Sequence, residues 1–430
     1  MKFALLTPGT GSYYCGACMR DNALAKGLLA AGHEVSMLPM YLPLTLDERR
    51  LKEEDIPPVF FGGINVYLQQ KVPFFRHTPA WLDRLLNGRG LLRAVAKRSH
   101  MTSAREHGEL SLAMLRVDES RLTKELDKLC EWLEQEKPDV VGLSTTLQAG
   151  MIRELKRRIG CKVICSFQGE DSFLDGLPEP FRTDCWDEMA ARLPEADLVV
   201  APSRYYADLM KERLGTPDLK VAILPNGIDL EGYEAPAPED PPAIGYFARM
   251  IPQKGLEVMV DAYIHLRREL GVENVQLKLA GAATAGDAQH IERAKEALAK
   301  AGLTAEVSWA TNVTRDEKLA FLKSLTIFSV PATYPEAFGL YMAEALAAGI
   351  PMVQPRAAAF IEILEQSRAG VLVEPGNARE LAEAWRDLLA DPGRRAEFSE
   401  RGRRAATDHF SVTAMRDRFL ELAQETVSAA

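Results

Sequence analysis

The feature that most restricts the fold is a repeated grammar in both halves of this 430-residue chain: a short aliphatic run, a glycine-bearing loop, then a helical pattern. Strands that read as continuous apolar runs are buried on both faces, and parallel neighbours need a crossover between them, so the grammar predicts parallel α/β sheets. In the first half KFALLTPG leads through a loop to DNALAKGLLAAGHEVSMLPM, where apolar residues keep helical spacing up to Gly32 and a second strand follows. PDVVGLST, CKVICSF and ADLVVAPS read as further buried strands, and the second half restarts with IGYFARM, VQLKLAG, EVSWATN, TIFSVPA, PMVQPR and AGVLVEP. Between the halves, EGYEAPAPEDPPA (Glu231 to Ala243) is rich in proline and acid and offers little to a core.

A chain of this length exceeds one ordinary core, so two domains are expected. We place the N-terminal domain at 1–232, with a less regular, aromatic-rich elaboration over about 44–114 near a cleft. The linker is 233–243, the C-terminal domain 244–410, and 411–430 a closing helix that packs back on the N-terminal domain. Two doubly wound sheets facing a central cleft would bind ligands at the C-terminal ends of their strands.

Composition narrows the function. A formal net charge of −9 argues against a nucleic-acid binder that relies on overall positive charge. The run before Pro8 is too short for a signal peptide, and nothing approaches about 18 uninterrupted apolar residues, so a cytoplasmic protein without a transmembrane segment is expected. Six cysteines in a chain this long do not make a disulfide framework. Arg89, Arg93, Lys97 and Arg98 alternate with apolar residues at helical spacing, which suits either a peripheral membrane contact or a solvated helix.

The richest segment is PATYPEAFGLYMAEALAAGIP, Pro331 to Pro351. A strand ends there in a loop, and a helix opens near Gly339 and stops at Gly349 before a proline. Such a helix start offers the N–H groups of Phe338, Gly339 and Leu340 to an anion. Glu336 lies in the loop; Glu344, eight residues on, lies among small and apolar residues that should partly bury it.

PEAFGLYMAEALAAGIPMV resembles the Glu-x7-Glu segment of the retaining, nucleotide-sugar-dependent glycosyltransferases of family 4, which have the GT-B fold of two Rossmann-like domains. YFARMIPQKGLEVMVDAY matches that family's Gly-Arg and Lys-Gly pattern, with Arg249 and Lys254 in place. LPNGID, AGHEV and AGVLVEPGNARELAEAWRDLLAD also match. The resemblance implies a glycosyltransferase moving a sugar from a nucleotide-sugar donor to a sugar, lipid or other small acceptor, with retention and without metal or cofactor. It implies that Arg249 and Lys254 stabilise the leaving diphosphate, with Glu336 as the third catalytic residue facing the donor sugar. Glu344 would hold the ribose hydroxyls, and the amides of Phe338, Gly339 and Leu340 would contact sugar or phosphate. Backbone groups near Gly281 and from Thr311 to Val313 would read the base. Gly16, where the family has the second glycine of a Gly-Gly loop, would be a backbone donor to phosphate, with Cys15 at the first.

The chain departs from the family at two places. A histidine often follows the strand corresponding to CKVICSF, and here QGED puts Gln168, Glu170 and Asp171 on the acceptor side. Gln168 can hydrogen-bond a hydroxyl but is no base. Glu170 and Asp171 are either an acceptor-side base or plain loop carboxylates. Ala358 and Ala359 replace a Gly-Gly pair before Glu362, which puts a contact from Glu362 in question. His33 reads as structural, and His77 as acceptor-facing or loop. The alternatives are a GT-B sugar-nucleotide epimerase and, further off, a thiol-redox or zinc protein built on Cys15 and Cys18, whose thiol a helix start would activate. Cys161 and Cys165, at the ends of one strand, point poorly for a zinc site.

Overall fold

The computed structural model describes residues 1–9, 16–41, 61, 104–235 and 240–429. These divide into one unit of residues 1–225 with 415–430 and a second of residues 226–414. Most of the 44–114 elaboration lies outside the described residues, as do Cys15, His77, Arg89, Arg93, Lys97 and Arg98.

The first unit is built on a six-stranded parallel sheet of β1 (Lys2–Thr7), β2 (Glu34–Pro39), β3 (Val140–Leu143), β4 (Lys162–Ser166), β5 (Leu198–Ala201) and β6 (Val221–Ile223), in the order β2-β1-β3-β4-β5-β6. The order reverses between β1 and β3, so the loops leaving these two strands flank the switch point. The helix Gly16–Ala30 follows β1 and buries Leu24 and Leu28, but also Arg20, Asp21 and Asn22. Arg20 pairs with Asp21 at 2.8 Å, and Ser144, just beyond β3, donates to the other oxygen of Asp21. This charged pair ties the helix to the end of β3. The closing helix Val412–Ser428 sets Phe419 against Phe3, ring centroids 5.6 Å apart.

The second sheet holds β7 (Ala243–Phe247), β8 (Gln276–Gly281), β9 (Val307–Thr311), β10 (Ile327–Phe328), β11 (Met352–Pro355) and β12 (Gly370–Val373), in the order β12-β11-β10-β7-β8-β9. Read from the other edge this is the 3-2-1-4-5-6 order of a dinucleotide-type doubly wound sheet, with its switch point between β7 and β10. TIFSVPA keeps only two residues of strand. Val330 donates its N–H to the Gln354 side chain at 3.0 Å rather than to a strand carbonyl, and Pro331 has no N–H to offer.

The division between the units falls before the expected linker. Residues 226–232, expected in the N-terminal domain, count with the second unit. The reason is packing: Ile228 is buried in the second core and bridges to Ser411, while Leu230 and Tyr233 pack against that core. The expected linker therefore begins inside a packed segment, and the second unit runs past 410 to 414.

Candidate functional site

Both loops that flank the second switch point carry expected site residues. Beyond β7 the chain makes a single turn of 3₁₀ helix, Pro252–Lys254, and Gly255 then opens the helix Leu256–Arg268. Gly255 has φ +73°, and a Cβ there would lie 1.8 Å from the Pro331 carbonyl oxygen, so the loop after β7 and the loop after β10 touch backbone to backbone. The N–H groups of Thr333 and Tyr334 donate to the Gln253 carbonyl at 3.0 and 3.3 Å, which stitches the loops together.

That contact brings Lys254 to Glu336: the ammonium donates to Glu336 Oε1, and Glu336 is only 8% exposed. Tyr341 Oη donates to the same oxygen at 3.0 Å, and the lysine nitrogen sits 5.8 Å from the centre of the Tyr341 ring. Burial pushes the Tyr341 phenol well above its ordinary pKa, and the Glu336 charge adds to the shift, so the hydroxyl stays a donor. Among the described residues, the second oxygen of Glu336 has no partner.

Gly339 precedes the helix Leu340–Ala347, and no side chain caps it; Met342 N donates to the Gly339 carbonyl at 2.9 Å, and the N–H groups before it stay available. Phe338 is buried edge-on to Phe410 at 5.9 Å, so its contribution to a ligand is confined to its backbone. Glu344, 5% exposed, forms a second cluster: Lys318 Nζ donates to its Oε1 at 2.7 Å and Tyr233 Oη at 3.2 Å.

Arg249 is placed differently. Its side chain is 53% exposed and approaches Asp287 at 3.6 Å rather than Glu336. Burial opposes ionisation of Asp287, but hydrogen bonds from Thr284 and the Arg249 charge outweigh it and hold the carboxyl below its ordinary pKa. Tyr246 Oη donates to the Arg249 carbonyl at 3.0 Å and anchors the turn. Gly281 ends β8, and its carbonyl accepts from Asn312 N at 2.9 Å. The Asn312 amide clamps Ala283 through two 3.0 Å bonds, fixing the backbone next to half-buried Val313.

In the first unit Gly16 is exposed at its helix start. Cys18, by contrast, is fully buried and accepts from Thr7 Oγ1 at 3.6 Å, so the helix turns its thiol inward against β1 and does not leave it exposed at the helix start. Among the described residues no cluster of histidine, cysteine and carboxylate side chains is arranged to hold a metal ion. Glu170 is buried with both oxygens occupied: one accepts from Thr145 Oγ1 at 2.8 Å and Thr146 N at 3.0 Å, the other from Gln168 N at 2.7 Å and Tyr206 Oη at 3.4 Å. Asp171 accepts from Tyr206 Oη at 2.8 Å. Of the two readings left open for Glu170, this geometry favours the loop carboxylate, which joins the loops after β3 and β4. The Gln168 side chain is half-buried.

The family models agree with this layout. The model described as Glycosyltransferase Family 4 matches residues 22–231, and that described as Glycosyl transferases group 1 matches residues 233–405. The chain belongs to glycosyltransferase family 4.

Relatives of this family 4 chain include a GDP-mannose-dependent alpha-(1-6)-phosphatidylinositol monomannoside mannosyltransferase of Mycolicibacterium smegmatis, 26% identical over 53% of the chain and 62% of the relative. A D-inositol 3-phosphate glycosyltransferase of Xylanimonas cellulosilytica is 29% identical over 54% of the chain and 58% of the relative. The matches thus span less than two thirds of these relatives' own length. Among solved structures, a sucrose-phosphate synthase from Thermosynechococcus elongatus superposes with TM-score 0.72 at 17% identity, covering 100% of both chains. HepE of Anabaena, in complex with UDP, superposes with TM-score 0.66 at 16% identity, over 99% of this chain and 100% of that one. Each unit therefore carries the Rossmann-like architecture of the GT-B fold.

One of the departures that the resemblance points to is visible in the backbone. Ala358, where the family often has glycine, holds φ 51° and ψ −142° at the start of the helix Ala359–Ser367, a conformation that suits glycine alone. Ala359 N then donates to the Glu336 carbonyl at 3.3 Å, so the strained residue adjoins the site. Sequence reasoning missed Lys318 and Tyr233, which act across tertiary contacts, and also Tyr341 and Tyr246, whose partners Glu336 and Arg249 lie close by in sequence; at Asn312 it expected a backbone role and not the side-chain clamp on Ala283. Tyr341, five residues after Glu336 and just inside a helix, was the most accessible of them.

Proposed function

We propose that the chain transfers a hexosyl group from a nucleoside-diphosphate sugar to a hydroxyl of a small acceptor, with retention of anomeric configuration and without a metal. The observation that carries this reading is the meeting of Lys254 with Glu336 at the second switch point, beside the uncapped start of the helix Leu340–Ala347. A diphosphate leaving group gains negative charge as its bond to the sugar breaks, and preorganised cations and N–H groups lower the barrier most where that charge develops. Lys254 supplies a point charge, Arg249 a forked donor, and the backbone of Phe338, Gly339 and Leu340 further N–H groups.

In the reaction the bond from the anomeric carbon to the phosphate oxygen breaks, and the acceptor oxygen bonds to the same face. The acceptor proton passes to the departing phosphate. Glu336 faces the sugar hydroxyls with its unpartnered oxygen, and Glu344 holds the ribose. Gly281 and Val313 frame the base through backbone groups, and Gly16 is the first unit's candidate backbone contact. Gln168 and Asp171 are the remaining acceptor-side candidates. Relatives named for inositol phosphates and phosphatidylinositol glycans make polyol phosphates and their lipids the first acceptors to try. No helix among the described residues is long and apolar enough to cross a membrane, which accords with a cytoplasmic site of action.

Thermal denaturation with UDP, GDP, ADP and their sugars tests the reading. At least one should raise the melting temperature of the wild type, since a ligand at about 100 times its Kd adds about 2.7 kcal/mol. Arg249→Ala should shrink that rise. No shift with any of them would overturn the proposal.

A further inference from the structure

The segment that sequence reads as a linker is bound along one face of the helix Arg315–Lys323. Arg315 Nη2 donates to the Glu231 carbonyl at 2.6 Å, and Lys323 pairs with Glu234. Between them Gly232 lies so close that a Cβ there would fall 2.8 Å from Leu319 Cδ1. Residues 315, 319 and 323 share one side of a helix, so three successive turns grip residues 231–234. The grip ends at a carboxylate: Tyr233 Oη and Lys318 Nζ, from the segment and from the helix, both donate to Glu344 Oε1.

Lys318 is 3% and Glu344 5% exposed, so this charge pair is removed from water and its geometry is set by packing rather than by solvent screening. Both donors take the same oxygen, and among the described residues the other oxygen has no partner. A carboxylate with one oxygen fixed by two donors presents the other in a single direction, and that oxygen, with its two lone pairs, can accept from two neighbouring hydroxyls. We propose that residues 231–234 are part of the nucleotide site: Tyr233, with Lys318, is a positioning residue that aims Glu344 at the vicinal hydroxyls of the donor's ribose. This rests on the reading of Glu344 given above.

The test separates the two. Titration calorimetry on the full chain measures UDP, GDP and ADP, and the tightest of them is compared with its 2′,3′-dideoxy counterpart. The wild type should prefer the ribonucleotide. Tyr233→Phe removes only the hydroxyl and should weaken ribonucleotide binding roughly three- to tenfold, the size of one lost hydrogen bond, and leave the dideoxy nucleotide unaffected. Glu344→Ala should erase the preference. If Tyr233→Phe keeps the full preference while Glu344→Ala erases it, the positioning role is wrong and the reading of Glu344 stands. Equal losses on both nucleotides would show a general structural role and also overturn the proposal. If none of the three nucleotides binds, or Glu344→Ala leaves the preference intact, the reading of Glu344 falls and the inference with it.

Discussion

The loop after β4 in the first unit and the loop after β10 in the second both follow a parallel strand and both carry buried carboxylates, yet their chemistry differs. Glu170 accepts hydrogen bonds on both oxygens, from two backbone N–H groups and two hydroxyls, and meets no cation among the described residues. Glu336 and Glu344 each meet one lysine and one tyrosine on a single oxygen. The difference teaches that burial of a carboxylate does not by itself mark a site. What matters is whether the protein exhausts its hydrogen-bonding capacity: a saturated carboxylate holds loops together, and a half-saturated one is aimed.

The contrast breaks first at Lys254. Lys254→Ala should lower transfer by about 10²- to 10³-fold, the usual loss for one preorganised electrostatic contact, and also cost some stability, because Glu336 keeps only Tyr341 as a donor. Turnover of a nucleotide sugar alongside a melting curve checks both halves. A large loss of stability with near-normal turnover in the surviving protein would make the Lys254–Glu336 pair a structural counterpart of the Glu170 cluster.

Glu170→Ala should show the opposite pattern. It strands two N–H groups and the Thr145 hydroxyl, whereas Tyr206 keeps its 2.8 Å bond to Asp171, and a stability loss of about 2–4 kcal/mol in chemical denaturation is expected, each orphaned buried donor costing on the order of 1–3 kcal/mol before water or relaxation recovers part of it. Unchanged stability with abolished transfer would instead make Glu170 an acceptor-side base.

The smallest effect is expected at Ala358, where relief of the left-handed backbone by Ala358→Gly should raise stability by about 1 kcal/mol. If the variant is less stable, the gain in unfolded-chain entropy outweighs the strain there.

Much of this architecture was legible beforehand because parallel sheets write themselves into sequence as short apolar runs between helical patterns. The Glu336-to-Glu344 segment was legible too, since its spacing, glycine and helix start sit within a short stretch of chain. The expected linker and the packing begin at different places because proline and acid mark the solvent-facing part of a segment, while Ile228, Leu230 and Tyr233 already pack with the second core. Cys18 drew notice for a similar reason: Cys-x-x-Cys is conspicuous in sequence, but the rotation of the helix Gly16–Ala30 sends its thiol inward, against the thiol alternative.

Local pattern thus determined the strands, the helices, the expectation of two parallel sheets and the residues worth inspecting, because these depend on periodicity and on backbone preferences within a few residues. Tertiary structure alone decided which carboxylates are saturated and which are aimed. Lys254 reaches Glu336 across 82 residues and Tyr233 reaches Glu344 across 111, and such pairings exist only once the switch point and the core have brought distant loops into hydrogen-bonding distance.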